Sequence, residues 1–165
     1  MKLGVISDTH DRVERVQTAL MEFQRRGVES IIHCGDIESA DTVRAFAGWP
    51  VHFVFGNCDW RPDLLQLAIA EIGAHLHEPF GELTLSEKKL AWVHGHVYAL
   101  KHELETSGQY DYLFYGHTHA PEQHYSGRTL VINPGALHRV RVKSCLVVDL
   151  AKDELETITL NDPVK

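Results

Sequence analysis

A chain of 165 residues, 44% hydrophobic and 24% charged, is long enough to bury a core without disulfides and is expected to form one domain over residues 1–165. Its 23 acidic and 16 basic residues leave a net charge of −7, which argues against non-specific binding to nucleic acid or an anionic membrane, because no basic excess exists to displace counterions. No apolar stretch approaches the roughly 20 residues of a bilayer span, the N-terminus lacks the pattern of a signal peptide, and Cys34, Cys58 and Cys145 show no paired spacing, so a cytoplasmic protein is expected.

Residues 2–7 read as a short apolar strand. Residues 12–26 carry Val13, Val16, Leu20 and Phe23 at helical spacing, with Gly27 as the stop. A strand over 30–34, a short helix over 39–47 and a strand over 51–55 follow. This alternation predicts a parallel sheet with helices on its faces. Pro62 opens the next helix, carried by Leu64, Leu65, Leu67, Ala68 and Ile72. Beyond Gly73 the segments 75–77, 82–85, 90–93, 112–115, 123–125, 129–132, 145–150 and 155–159 are strand-like. Hairpin turns are expected at 86–89 and 125–128, and a helix at 100–106. So many strands favour two packed sheets over one. The stretch from Asp149 to Asp162 reads as a hairpin with a solvated face.

The chemistry sits where these strands end. Asp8 and His10 follow the first strand, Asp36 the second, and Asn57 and Asp59 the third. Later, His94 and His96, then His117 and His119, then Asn133 follow strands in the same way. In open α/β sheets ligands bind outside the carboxyl ends of strands, so these groups can converge on one rim. Glycines stand just before Asp36, Asn57 and His117, where the chain must turn sharply. Asp8 and His10, like His117 and His119, are two apart; on a strand end both members of such a pair would project to one side. Carboxylate, imidazole and amide oxygen together suit Mn²⁺, Fe²⁺ or Zn²⁺. The donors are too numerous for one ion that also keeps an open position, so two ions sharing a carboxylate are expected.

The series Asp8-x-His10, Gly35-Asp36, Gly56-Asn57-x-Asp59, His94 and Gly116-His117-x-His119 resembles the calcineurin-like metallophosphoesterase superfamily, and within it the small single-domain bacterial and archaeal phosphodiesterases. The resemblance runs from Asp8 to Gly135, in the family's order. It implies an α/β fold of two packed mixed β-sheets flanked by helices, a four-layer sandwich. It implies that Asp8, His10, Asp36 and His119 hold a first ion, and that Asp36, Asn57, His94 and His117 hold a second. The two divalent ions would be Mn²⁺, with Fe, Ni or Zn as alternatives. The expected activity is hydrolysis of phosphodiesters, and of phosphomonoesters as a second class, by in-line attack of a metal-bridging hydroxide on a small phosphoester substrate.

Asp36, Asn57 and His96 are the residues assigned to catalysis, His96 because Cys58 stands where many relatives carry a histidine that assists the leaving group. A thiol of ordinary pKa is a poorer proton donor at neutral pH than an imidazolium, so slow turnover of poor leaving groups is expected. Asp59 is read as a loop-stabilising group, and Asn133-Pro-Gly135 as a tight turn under the site. His33, His52, His75, His77, His102, His124 and His138 default to structural or surface roles, with His124 and His138, and Arg139 and Arg141, as candidates to meet a phosphate at the entrance. A symmetric homodimer is the base-rate expectation. The rival reading is a non-catalytic metal-binding scaffold or protein-interaction subunit of the same fold. A zinc β-lactamase-type hydrolase is disfavoured because Ala-Pro-Glu follows His119 and that chemistry has no place for Asp8-x-His10.

Overall fold

In a computed structural model describing residues 1–160, the short apolar runs pair as strands, the central ones buried on both faces and the edge strands partly exposed. The first sheet has the order β11-β10-β1-β2-β3-β4, built from Glu154–Leu160, Lys143–Asp149, Lys2–Ile6, Ser30–His33, Val51–Phe53 and His75–Leu76. Its β1 to β4 run parallel, and β10 and β11 close the other edge antiparallel. The second sheet has the order β5-β6-β7-β9-β8, built from Gly81–Leu85, Lys88–Val93, Tyr112–Tyr115, Thr129–Asn133 and Glu122–Ser126. Here β6, β7 and β9 are parallel, and β5 and β8 are antiparallel edges.

Period-two alternation explains the layering. Leu3 and Val5 of β1 face Leu90 and Trp92 of β6 across the gap between the sheets, joined by Ile32, Phe114, Leu146 and Val148. Ile6 turns the other way, under helices α1 (Val13–Arg26), α2 (Ala40–Arg44) and α3 (Pro62–Glu71). Ala91 and Val93 likewise face α4 (Tyr98–Thr106) through Leu104. Helices, sheet, sheet, helix: the four layers are those implied by the resemblance. No helix among the described residues is long and apolar enough to cross a membrane.

Local signals account for most boundaries. Gly27 ends α1 at a left-handed φ of 70°, and Ser39 accepts from Thr42 N at 3.2 Å to open α2. The short helix stops at Arg44, and β3 stops at Phe53, two residues before the expected end. Both hairpins turn on two residues, Ser86–Glu87 and Gly127–Arg128. The expected C-terminal hairpin forms as β10 and β11, with Asp162 outside the described residues. At the edge of the sandwich, His52, His75 and His77 pack together against Trp92.

His33, at the end of β2, is fully buried. Its Nδ1 accepts from Gly35 N at 3.1 Å and its Nε2 meets Thr9 Oγ1 at 3.0 Å, so it ties the loop after β1 to the loop after β2. Burial pushes its pKa down to about 3, although the Asp8 charge acts in the opposite direction. The ring is therefore neutral when folded. That stability is complete above the ordinary value of 6.5, where the unfolded imidazole is neutral too, and is lost as pH falls towards 3. His33→Asn should flatten the dependence of the urea midpoint on pH below 6.5. One bound proton corresponds to about 1.4 kcal/mol per pH unit; an unchanged slope would show that His33 charges in the folded state.

Candidate metal centre

The loops following β1, β2, β3, β6 and β7 meet at one rim of the sandwich, although they come from two sheets. Asp8, His10, Asp36 and His119 gather with one donor atom each within 4.8 Å of one another. His119 Nε2 lies 3.1 Å from Asp8 Oδ1, and His10 Nε2 lies 3.5 Å from Asp36 Oδ2. On the other side of Asp36, His94 Nε2 also lies 3.5 Å from Oδ2, and it lies 3.1 Å from Asn57 Oδ1. The His117 ring stands edge-on to His94, with centroids 5.2 Å apart. Asp36 Oδ2 thus sits between two imidazoles, one from each sheet.

The protonation of these rings is fixed from behind. His10 Nδ1 donates to Glu38 Oε1 at 2.8 Å, and His94 Nδ1 donates to the Cys34 carbonyl at 2.7 Å. In the neutral imidazoles both Nε2 atoms then carry lone pairs. They face other acceptors: His10 Nε2 lies 3.2 Å from His119 Nε2 and 3.5 Å from Asp36 Oδ2, and the buried Asp8 Oδ1 meets the ring nitrogens of His119 and His10 at 3.1 and 3.9 Å. Lone pairs aimed at one another in a buried site need a cation between them. The donor set of carboxylate, imidazole and amide oxygen therefore fits divalent metal.

Backbone conformation brings the donors together. Asp8, His10, Asp36, His117 and His119 all adopt left-handed φ between 43° and 68°, uncommon for residues with a side chain. The donors lie beyond the strand ends, since β1 ends at Ile6 and β7 at Tyr115; Asp8 and His10 still converge on one cluster as expected, 3.9 Å apart at Oδ1 and Nε2, whereas loop dihedrals splay His117 and His119. His119 joins Asp8, whereas His117 turns to His94. Close approach explains two glycines. A Cβ on Gly56 would lie 2.1 Å from Asp36 Oδ1, and one on Gly116 would lie 1.9 Å from Ser7 Oγ. Nor does Asp8 cap α1; its Oδ2 accepts from His117 N at 3.1 Å, bridging the two sheets.

Asp59 holds the frame. Its buried carboxylate accepts from the backbone N–H groups of Asp36, Ile37, Glu38 and Gly56 at 2.7–3.1 Å, locking the loop after β2 to the loop after β3. Burial raises its pKa even so, against the lowering effect of those bonds. Burial would also raise Asp36, but a protonated His94, through its hydrogen bond and charge, and the Cys58 N–H outweigh it and hold the carboxyl well below the usual range; a metal ion in place of that proton acts in the same direction. Burial pushes the Cys58 thiol up to about 11, with Asp36 adding to it, so it stays protonated and is neither nucleophile nor matched acid.

His96 is exposed beside the cluster, its ring 5.3 Å from His94 and 6.3 Å from His117. Asn133 fixes the loop bearing His117 by donating to Gly116 O and Thr118 Oγ1, both at 3.0 Å, and it closes the expected tight turn with Gly135 N. His138 lies beside His10, but His124 pairs with Glu105 on the α4 side and takes no place in the cluster. Arg139 and Arg141 lie on the bend between β9 and β10, not on a strand. Glu38 escaped the sequence reading, although its position two residues beyond Asp36 was a usable signal.

Two sheets delivering carboxylates and histidines to a shared rim form a candidate divalent-metal centre of the kind that metal-dependent phosphoric ester hydrolases use. The chain belongs to the calcineurin-like phosphoesterase superfamily, whose domain model matches residues 1–153. It is 30% identical to Phosphodiesterase MJ0936 of Methanocaldococcus jannaschii, over 97% of this chain and 99% of that one. It is 26% identical to Phosphodiesterase YfcE of Escherichia coli strain K12, over 98% of this chain and 94% of that one. Among solved structures, one described as a novel archaeal phosphodiesterase superposes with a TM-score of 0.90 at 30% identity, covering 97% of this chain and all of the other (100%).

Removing Asp59 strands four backbone donors in a buried loop. Asp59→Ala should cost about 3 kcal/mol in urea unfolding, and Asp59→Asn, which keeps one acceptor oxygen, should recover part of it. Equal stability of the alanine variant and the parent would show that the loops hold without Asp59.

Proposed function

We propose that the protein is a phosphodiesterase that works with two divalent ions, Mn²⁺ foremost. Asp8, His10, Asp36 and His119 would hold one ion, and Asp36, Asn57, His94 and His117 the other. The observation that carries this reading is Asp36 Oδ2, 3.5 Å from His10 Nε2 and 3.5 Å from His94 Nε2, a carboxylate oxygen shared by two lone-pair nitrogens. Ions bound there supply Lewis acidity and lower the pKa of coordinated water towards neutrality.

The chain's own residues supply position and proton handling. Asp59, through the backbone of Asp36 and Gly56, fixes where Asp36 and Asn57 stand. Glu38 and the Cys34 carbonyl keep His10 and His94 in the tautomer that presents Nε2 inward. Asn57 Nδ2 donates to Cys58 Sγ at 3.4 Å, which leaves its amide oxygen turned to the site. Burial, then the charges of His94 and His117, lower the His96 pKa, so the ring is neutral at pH 7 and offers an N–H to a phosphoryl or leaving-group oxygen. With Cys58 protonated and poorly matched, the site favours esters whose leaving group departs without a strong acid.

The test is hydrolysis of bis(4-nitrophenyl) phosphate by metal-stripped protein before and after Mn²⁺ addition, with 4-nitrophenyl phosphate in parallel. Metal should restore turnover, with the diester preferred. Asp36→Asn should abolish it, and His96→Ala should lower kcat by about tenfold, the scale of one hydrogen bond to a charged oxygen. Folded protein that stays inactive with Mn²⁺, Ni²⁺ and Zn²⁺ would sink the phosphodiesterase reading in favour of a scaffold.

A further inference from the structure

Arginines away from the rim face carboxylates. Arg25 and Arg26 pair with Glu22, Arg44 with Asp41 and Glu71, Arg61 with Asp63, and Arg128 with Asp111. Beside the first ligand set this pattern breaks. Arg12 stands two residues beyond His10, and its Nε donates to His138 Nδ1 at 3.1 Å. The His138 ring lies 5.1 Å from the His10 ring, so the guanidinium is one imidazole away from the Asp8–His10–Asp36–His119 cluster. Among the described residues, Arg12, Arg139 and Arg141 make no ion pair with a carboxylate.

Two nearby acids are turned elsewhere. Asp11 accepts from the Ser39 and Thr42 hydroxyls, and Glu38 takes the His10 N–H. Arg139, Arg15 and Arg12 all lie close enough for their charges to act on His138, and Arg15 Nη1 donates to Leu137 O at 2.7 Å, bracing the same bend. In a chain of net charge −7, one flank of the site therefore concentrates positive charge. A guanidinium anchored through Nε still presents both Nη groups, the fork that binds phosphate oxygens bidentately. His138 stands between that fork and the ligand cluster, so the fork reaches a group set apart from the reacting phosphorus.

We propose that Arg12, held by His138, and Arg139 form a second anion subsite that selects small phosphodiesters carrying an additional phosphate group on the side that does not react. This rests on the phosphoesterase reading above and names its substrate class. It also gives His138 a role: the imidazole fixes the guanidinium with its Nδ1 lone pair.

Calorimetric titration of the Mn²⁺-loaded protein with adenosine 3′,5′-bisphosphate and with adenosine 5′-monophosphate tests it, at constant ionic strength. The bisphosphate should bind at least about tenfold tighter, the scale of one charge-assisted bidentate contact. Arg12→Ala should reduce that preference to below about twofold, with Arg139→Ala intermediate; Arg12→Gln, which keeps a donor for His138, controls for a collapsed loop and should lose the preference as well. Equal affinities, no binding of either nucleotide, or a preference surviving in the Arg12→Ala, Arg139→Ala double variant overturns the subsite. Hydrolysis of bis(4-nitrophenyl) phosphate in the same preparations separates the two readings. Turnover without bisphosphate preference removes the subsite and leaves the phosphodiesterase; preference without turnover overturns the phosphodiesterase reading and the substrate class named with it, and leaves only the anion contact at Arg12.

Discussion

One carboxylate joins the two halves of this molecule. Asp36 Oδ1 accepts from Cys58 N at 2.8 Å, which anchors it to the loop after β3, and its Oδ2 faces His10 on one side and His94 on the other. His94 arrives from the second sheet, so the rim closes across the sandwich through a group that carries full negative charge in a largely buried setting. Burying such a charge is costly unless hydrogen bonds and a cation compensate it. Part of the compensation is built in, through Cys58 N–H and the Asp59 bracket. The remainder is what metal supplies in the proposed function, and it explains why acceptors crowd one another here.

The same crowding accounts for the backbone. Left-handed conformations at Asp8, His10, Asp36, His117 and His119 each cost of order 1 kcal/mol, and they persist because the surrounding contacts overdetermine them. Asp59 with four backbone N–H groups, His33 bonded to two loops, and Asn133 bonded to Gly116 and Thr118 are the fixed points. None of the three touches the space between the donors. Their work is to hold strained loops at the ends of stiff strands, which is where preorganised sites are most readily built.

Charge is distributed unevenly around that frame. The chain is acidic overall, and most exposed arginines are neutralised by neighbouring carboxylates of little energetic weight. The flank formed by the start of α1 and the bend between β9 and β10 departs from this, with guanidinium groups near His138 and the local acids engaged elsewhere. An anionic substrate approaching the rim would meet this flank first, so its composition bears on selectivity as well as on encounter.

Much of this was legible in the sequence. The alternation of apolar strands, the helix of Val13, Val16, Leu20 and Phe23 with its Gly27 stop, and the polar groups after each strand specified two sheets and one rim, because hydrophobic period and turn chemistry are local. The polar groups following each strand were visible in the sequence, and the family resemblance singled out Asp8, His10, Asp36, Asn57, His94, His117 and His119 among them as candidate donors. What the sequence left undetermined is non-local: which member of His117-Thr-His119 turns to which side, that Glu38 backs His10, and that His124 points to Glu105 while His138 meets His10 and Arg12. Those outcomes depend on loop dihedrals and on contacts between sheets more than 100 positions apart, as between Asp8 and His117 at a separation of 109. Periodicity fixes which face a residue occupies; only the packing of the two sheets decides what it faces.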